Sequence, residues 1–202
     1  MNSRTARKYS RISSLYDLVE CPVERLMFQR FREKAAGMVQ GKTLEAGVGT
    51  GKNFSYYRRG LELTAIDFSE GMLRKAGQRM HNLGMENITI LQMDVQNLSF
   101  PDNFFDTVIS TFVFCTVPEP LLGLKELHRV LKPSGKAVFL EHMKSSSSFI
   151  NLHLYVMNMF TAAILGTSML RETQKYIELA GFSIQSVENL ASDVVRLIVA
   201  GK

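Results

Sequence analysis

The stretch Thr43-Leu-Glu-Ala-Gly-Val-Gly-Thr-Gly51 decides the fold of this chain. A short strand-like run leads directly into three glycines at alternate positions. Glycine adopts positive φ at little steric cost and lets a ligand approach backbone that a Cβ would otherwise shield. At the carboxyl end of a first parallel strand, such a loop lies where open α/β sheets bind nucleotides. A tight strand-to-helix turn would explain the glycines equally well, so the loop needs support from its surroundings.

Strand-like runs alternate with helical patterns around this loop, which predicts an α/β fold with a mostly parallel sheet covered by helices on both faces. The predicted strands are Thr43–Ala46, Leu63–Ile66, Ile88–Gln92, Thr107–Ser110, Lys136–Glu141, Phe182–Val187 and Val194–Ala200. The last two would form an antiparallel hairpin at one edge. Helices are expected over 5–38, after Gly51, from the N-cap Ser69, from 118–120, over 149–165 and over 171–180, with a turn at 133–135.

The composition fits a single large domain. The chain has 202 residues, of which 46% are hydrophobic. Cys21 and Cys115 lack the spacing of a disulfide framework or a zinc site, so reduced thiols and a cytoplasmic location are expected. The apolar stretch Phe149–Leu170 is interrupted by polar residues and predicts a buried or interfacial helix. No signal peptide is expected, because no continuous apolar run follows the basic first residues.

The formal net charge of +5 is concentrated near the beginning of the chain. Residues 1–34 contain eight Lys and Arg against four Asp and Glu. A basic N-terminal segment can attract an anionic membrane surface or a nucleic acid. An ordinary solvated helix face is the alternative interpretation.

Two carboxylates follow the glycine loop at successive strand ends. Asp67 closes the second predicted strand, 20 residues after Gly47, and Asp94 follows the third. The first can accept hydrogen bonds from two ribose hydroxyls, and the second from an adenine amino group. Lys52 stands where a dinucleotide fingerprint has its last glycine, which disfavours a pyrophosphate-binding turn. The pattern therefore favours a neutral adenosine. A capping Asp67 and a plain loop Asp94 are the alternatives.

Five segments in this order carry a resemblance to a known family: Leu44–Gly51, Ala65–Ser69, Asp94, Phe100–Asp106 and Leu127–Gly135. Together they resemble the class I S-adenosylmethionine (SAM)-dependent methyltransferases. They are most similar to the branch with the ubiquinone/menaquinone-biosynthesis C-methyltransferases and the bacterial phospholipid N-methyltransferases. The resemblance implies a Rossmann-like, seven-stranded, mostly parallel sheet with an antiparallel edge hairpin. It also implies SAM as cofactor, S-adenosylhomocysteine as product and no metal.

Two further segments resemble related proteins. Tyr9–Asp17 resembles the tyrosine-aspartate element that precedes the core in this branch. Arg171-Glu-Thr173 is similar to a stretch of membrane-associated, thiol-methylating relatives. The resemblance thus implies one domain, in which residues 1–40 form an N-terminal helical lid over a SAM-binding region at 41–202.

The resemblance assigns cofactor contacts by position. The implied cofactor-binding residues are Tyr9, Tyr16, Glu45, Gly47, Val48, Gly49, Asp67, Phe68, Met72, Asp94, Val95, Thr111 and Phe112. Glu45 would orient the glycine loop or hold the amino group of the methionine part. Thr111 and Phe112 would lie under the sulfonium and gate the acceptor.

The acceptor and the group that takes its proton are predicted less directly. An amine or thiol acceptor must be deprotonated, and Tyr16 and His142 are the candidate catalytic residues, with Glu141 as a third. The alternatives are Tyr16 as a cofactor lid or core aromatic, and Glu141 and His142 as strand-end surface groups. The Met- and Phe-rich stretch Phe149–Leu170 suggests a small, lipophilic acceptor reached at a membrane surface. Ordinary helix packing would also explain it.

Three other functions stay open at this point. A nucleic-acid methyltransferase would use the same cofactor site, but Ser110–Cys115 lacks the Asn-Pro-Pro-Tyr-like tetrapeptide of many DNA amino-methylating enzymes. A dinucleotide-binding oxidoreductase is disfavoured by the missing last glycine. A SAM-binding regulator without turnover would share the same residues. The oligomeric state is not predicted.

Overall fold

Seven strands form one mixed sheet. In the computed structural model, which describes residues 22–152, 154–155 and 170–202, the strands are β1 (Thr43–Ala46), β2 (Leu63–Asp67), β3 (Ile88–Gln92), β4 (Phe105–Thr111), β5 (Leu131–His142), β6 (Ser183–Ala191) and β7 (Val195–Gly201). Their order in the sheet is β3-β2-β1-β4-β5-β7-β6. The strands β1 to β5 pair in parallel, and β7 is antiparallel to both β5 and β6. The predicted fold class, including the antiparallel edge hairpin, is confirmed.

The strand order places a crevice at the end of β1. β1 pairs with β2 on one side and with β4 on the other. The connection after β1 therefore leads to one side of this strand, and the connection after β3 leads to the other side. Connections that diverge in this way open a space at the carboxyl ends of the strands, which is where such sheets bind ligands. All four residues of β1 and six of the seven in β4 are buried. The crevice is thus built on the most deeply buried strands of the sheet.

Helices cover both faces of the sheet. They are α1 (Pro22–Ala36), α2 (Glu70–Asn82), α3 (Pro120–Val130) and α4 (Thr173–Leu179). Alternate residues of the strands point to opposite sides, so Val108 packs with α3 and α4 while its neighbour Ile109 packs with α1 and α2. As predicted, Ser69 is the N-cap of α2, where its hydroxyl accepts a hydrogen bond from the backbone N–H of Met72.

Two predicted elements differ from the structure in the core. The segment after Gly51 forms only a 3-10 turn at Phe54–Tyr56, because the side chain of Asn53 is held by groups on β1 and β4 and the chain is extended again at Tyr57. The separate turn expected at 133–135 is part of β5. The pairing of β5 with β4 passes from Leu131 directly to Lys136, so the residues between them form an irregularity inside the strand.

Two predicted helices, the first one and the one after β5, lie only partly within the described residues. α1 begins at Pro22, and residues 5–21 of the predicted first helix lie outside the described residues. Residues 148–152 and 154–155 are helical, and the remainder of the predicted 149–165 helix lies outside them as well. Within the described ranges, no helix combines the length and the hydrophobicity needed to cross a bilayer.

The segment after β5 leaves and re-enters the core at one place. The backbone N–H of Lys144 donates to the carbonyl of Arg171 at 3.1 Å. Just beyond, the hydroxyl of Ser145 and the backbone N–H of Ser146 donate to the carboxylate of Asp193, in the turn between β6 and β7. These bonds close the base of the 145–170 segment against the edge hairpin.

Candidate functional site

The three glycines after β1 are required for different reasons. Gly47, Gly49 and Gly51 have φ values of +70°, +55° and +76°. A Cβ on Gly47 would overlap Cγ2 of Val113, and one on Gly51 would lie 2.7 Å from the ring of Phe54. A Cβ on Gly49 would meet no atom within 4 Å. Packing therefore excludes side chains at the outer two positions, whereas Gly49 borders open space that a ligand can fill.

Asp67 connects the end of β2 to the glycine loop. Its Oδ2 accepts a hydrogen bond from the backbone N–H of Gly49 and its Oδ1 one from that of Ser69, both at 2.9 Å. Burial raises the pKa of this carboxyl, and the two backbone donors counteract that rise. Each carboxylate oxygen can accept a second hydrogen bond. Asp67 thus orients the loop and still has acceptor capacity for a diol such as ribose.

Glu45 is a fully buried carboxylate with one oxygen unsatisfied. Its Oε1 accepts a hydrogen bond from Nδ2 of Asn53 at 2.7 Å. Its Oε2 and the hydroxyl of Tyr57 form no hydrogen bond of good geometry among the described residues, although the hydroxyl is close enough to the carboxylate to help offset the rise in its pKa. Burial raises the pKa of Glu45 to about 7. Buried polar atoms in folded proteins are almost always paired. An unpaired carboxylate oxygen beside the glycine loop is suited to a cationic group such as the ammonium of a methionine tail.

A guanidinium from α1 completes this polar group. NH1 of Arg32 donates to Oδ1 of Asn53 at 3.0 Å and to Oγ1 of Thr111 at 2.8 Å. Nδ2 of Asn53 also donates to Thr111 at 3.0 Å. The guanidinium lies 5.0 Å from the centre of the Phe112 ring, and its charge offsets part of the rise in the pKa of Glu45 that burial causes. The ends of β1 and β4 and the helix α1 are therefore joined in one network.

Glu141 holds the backbone of the loop after β4. Its carboxylate accepts hydrogen bonds from the hydroxyl of Ser110 at 2.6 Å and from the backbone N–H groups of Val113 and Phe114 at 3.0 to 3.2 Å. Burial raises the pKa of Glu141 to about 7. With this many donors directed at it, Glu141 is a structural acceptor and a poor candidate for the proton acceptor considered from the sequence.

We expect Glu141→Gln to lower the free energy of unfolding by about 1–3 kcal/mol, because the new NH2 group would face backbone donors that need an acceptor. Urea denaturation of the variant and of Glu86→Gln, an exposed position, measures the effect. Equal midpoints for the two variants would contradict the assigned role.

His142 and Phe112 belong to an aromatic cluster at the ends of β5 and β4. The ring of His142 lies 4.8 Å from that of Phe112 and 5.6 Å from that of Phe28 on α1. Its Nδ1 is buried without a hydrogen-bond partner among the described residues, and desolvation lowers its pKa to about 4. Phe112 has a φ of +59°, which is uncommon for a bulky residue. His142 is thus a neutral, half-buried ring with an unpaired nitrogen, and the strand-end surface group considered as its alternative is not what the structure shows.

The depressed pKa of His142 predicts a pH dependence of stability. Between its unfolded value near 6.5 and the folded value of about 4, the unfolded chain binds a proton that the folded chain does not. We expect the wild type to lose about 2 kcal/mol of unfolding free energy at this group between pH 7.5 and pH 5, a loss that His142→Gln avoids. Glu45 and Glu141 titrate in both proteins and cancel in the difference. A wild-type-minus-variant difference that stays constant with pH would contradict the buried, neutral state.

The remaining predicted contacts lie around the same edge of the sheet or outside the described residues. Phe68 is half-buried and Met72 buried, and both follow β2. Oδ1 of Asp94 accepts the backbone N–H of Gln96 at 3.0 Å, and Val95 is buried in the core. Val48 is also packed in the core, so its backbone is the part near the loop surface. Tyr9 and Tyr16 lie outside the described residues. The structure brings most of the predicted set to one crevice, and their roles toward a cofactor stay predictions.

Several residues of the site were not predicted from the sequence. They are Phe28, Arg32, Thr50, Asn53 and Tyr57. Arg32 stands among other charged residues on a helix, a pattern typical of a solvent-exposed face. The hydroxyl of Thr50 is buried without a partner among the described residues, as is that of Tyr57. Only Asn53, a polar residue shortly after the glycine loop, gave a usable signal. Among the residues that the structure describes, no group of three or more His, Cys, Asp or Glu side chains is placed to hold a metal ion.

The model of a methyltransferase domain family matches residues 44–139. The chain is 41% identical over 103 residues to a phosphatidylethanolamine N-methyltransferase of Cereibacter sphaeroides, which is 50% of this chain and 51% of that protein. It is 30% identical over 175 residues to a demethylmenaquinone methyltransferase of Staphylococcus aureus, covering 85% and 70% of the two chains. A solved SAM-dependent methyltransferase from Aquifex aeolicus aligns with a TM-score of 0.67 at 22% identity, over 93% of this chain and 97% of that one.

These similarities support different conclusions about the chain. The structural likeness, at this identity, shows the fold. The first relative is matched over about half of its length, whereas the second is matched over more than two thirds at 30% identity. The family model ends inside β5, so the segment after that strand lies beyond it.

Proposed function

Because this chain belongs to the family of SAM-dependent methyltransferase domains, we propose that it transfers a methyl group from SAM to a small, lipophilic acceptor. The observation that supports it most is the open space at Gly49, in the loop that follows the strand carrying Glu45. A ligand in that space would lie near a buried carboxylate, two residues before Gly47, that fits the ammonium end of an amino-acid tail.

The residues present fit SAM along its length. Asp67 has acceptor capacity for the ribose hydroxyls, and Glu45 has it for the ammonium group. Asp94 and Val95, after β3, are proposed to hold the adenine, beside Phe68. When bound, SAM supplies a methyl group activated by its sulfonium. The chain supplies alignment, exclusion of water and a place for the acceptor's proton.

His142 is the proposed catalytic group on the acceptor side, together with Tyr16. His142 is held between Phe28 and Phe112, and its pKa of about 4 keeps it neutral at physiological pH. A neutral nitrogen without a partner among the described residues can accept a hydrogen bond from an acceptor hydroxyl, thiol or ammonium. With so low a pKa it holds a proton weakly, so its contribution is to orient the acceptor, whose proton is released to solvent.

The acceptor class follows from the relatives and from one exposed helix. The relatives named above act on a phospholipid amine and on a demethylmenaquinone, as their names state. In the helical segment after β5, Phe149, Leu152 and Tyr155 are 83%, 64% and 58% exposed and are spaced three residues apart. Residues at this spacing share one helix face. An exposed apolar helix face, a few residues after His142 in the chain, is suited to contact with a lipid surface.

The acceptor is tested by transfer of labelled methyl groups. Protein and methyl-labelled SAM are incubated with phosphatidylethanolamine vesicles, with a demethylated quinone in vesicles, with a small alkyl thiol and with duplex DNA. Label in an extractable lipid or quinone supports the proposal. Label in the thiol alone narrows the acceptor class to thiols, whereas label in DNA alone would refute a small acceptor.

Membrane contact is tested at the exposed helix face. We expect Phe149→Asp to reduce co-flotation with phosphatidylglycerol-containing vesicles about 10-fold or more, because a large apolar group is replaced by a charge. Leu179→Asp, which changes a 56% exposed leucine on α4, is the control and should float like the wild type. Equal losses in both variants, or none in either, would argue against docking by this face.

A further inference from the structure

The network at the ends of β1 and β4 contains a cation that the assignments above leave without a ligand role. Arg32 is half-buried, and its NH1 is within hydrogen-bond distance of Asn53 and Thr111. Asn53 in turn binds the carboxylate of Glu45. A positive group and a negative group are thus separated by a single amide side chain, next to the glycine loop.

An amino-acid tail is a zwitterion and needs both charges. Glu45 offers an unsatisfied oxygen to the ammonium group, but the carboxylate of the same tail requires donors or a cation nearby. Guanidinium groups are the preferred partners of carboxylates because their N–H donors match both oxygens. The described residues of the network contain one guanidinium, that of Arg32. We propose that Arg32 binds the α-carboxylate of the methionine tail of SAM; this inference rests on the proposed function.

The surroundings of Arg32 prepare it for this role. Thr111 and Asn53 fix NH1 through two hydrogen bonds, and the ring of Phe112 lies 5.0 Å from the guanidinium carbon. Such contacts hold a long side chain in one rotamer before the ligand arrives, which reduces the entropy lost on binding. A purely structural clamp between α1 and the sheet would use the same two hydrogen bonds. The two roles differ in whether the effect of a substitution depends on the ligand's carboxylate.

A series of three ligands separates these roles by calorimetry. S-adenosylhomocysteine has the ammonium and the carboxylate, its decarboxylated analogue S-adenosyl-3-thiopropylamine has the ammonium alone, and 5′-methylthioadenosine has neither. We expect Arg32→Met to weaken binding of S-adenosylhomocysteine about 10- to 100-fold, the loss of one hydrogen-bonded charge pair. Binding of the other two ligands should change less than about 3-fold, within the uncertainty of such contributions. Arg30→Met, an exposed arginine of the same helix, should bind all three like the wild type.

The outcomes are distinct. Equal weakening for all three ligands would overturn the proposal and leave Arg32 as a clamp, and so would unchanged binding of S-adenosylhomocysteine. If the wild type binds none of the three, the proposed function itself fails. Should Arg32→Met not fold, Arg32→Lys keeps the charge and removes the planar fork. We expect Arg32→Lys to weaken the binding of S-adenosylhomocysteine by a smaller factor than Arg32→Met, and to leave the binding of the other two ligands unchanged.

Discussion

Asp67→Asn is expected to weaken S-adenosylhomocysteine binding by about 100-fold or more, because hydrogen bonds to a charged acceptor contribute about 1.5–3 kcal/mol each. Two effects act together in this variant. The carboxylate that would receive the ribose hydroxyls is lost, and an amide NH2 must face one of the two backbone N–H groups, of Gly49 or Ser69, that Asp67 now accepts. Calorimetric titration of the wild type and the variant measures the loss.

The control for this variant is Asp102→Asn. Asp102 is an exposed carboxylate paired with Arg129, far in sequence from the glycine loop. The Asp102→Asn variant should bind S-adenosylhomocysteine like the wild type. A thermal melt without ligand shows whether each variant is folded at the temperature of the titration. Lost affinity is then not mistaken for lost stability. Wild-type affinity in Asp67→Asn would mean that the loop is structural and that the cofactor binds elsewhere.

Gly47→Ala and Gly49→Ala are expected to fail in different ways. In Gly47→Ala the new Cβ would overlap the side chain of Val113, and a φ of +70° adds strain. Overpacking and a left-handed backbone together should cost about 2–5 kcal/mol of unfolding free energy. Gly49→Ala meets no protein atom and should cost only about 1–2 kcal/mol, the strain of its φ. The Cβ of Gly49→Ala would instead enter the space proposed for the cofactor. We therefore expect S-adenosylhomocysteine to bind about 10-fold more weakly or worse, the effect of a small overpacking penalty.

A second substitution tests this explanation of Gly47. Val113→Ala removes the two methyl groups that a Cβ on Gly47 would touch. The double variant should therefore recover part of the stability that Gly47→Ala loses, as measured by urea denaturation, while Val113→Ala combined with Gly49→Ala should recover none. Similar melting points for Gly47→Ala and Gly49→Ala would contradict the different roles of the two glycines.

The elements predicted well from the sequence are those whose signal is local. β3 and the N-cap of α2 are found where predicted, because a short run rich in β-branched residues favours a strand and a cap needs one residue type at one position. β1 is likewise marked by the glycines that follow it. Asp67 could be predicted as a site residue because it ends a strand that is itself recognisable.

The elements predicted poorly depend on partners distant in sequence. The 3-10 turn at Phe54–Tyr56 replaces a predicted helix because Asn53 bonds to Thr111, 58 residues further along the chain. Arg32 reaches Thr111 across 79 residues, and nothing in its neighbourhood distinguishes it from Arg30. Glu141 was considered as a base, but one donor from β4 and two from the loop after it occupy its carboxylate. Tertiary partners decide such residues, and a single sequence does not identify them.

The closed base of the 145–170 segment has an evolutionary consequence. Because the N–H of Lys144 meets the carbonyl of Arg171, the chain between them can be exchanged as a cassette without moving β5, β7 or the glycine loop. Arg171 also donates to the carbonyls of Phe114 and Val117, so the junction is tied to the loop after β4 whatever the cassette contains. Under the proposed function, the acceptor side could then change in sequence while the glycine loop and the strands that hold it keep their positions. If the proposed acceptor contact of this segment holds, grafting the equivalent segment of a relative onto this chain is expected to change the acceptor that is methylated.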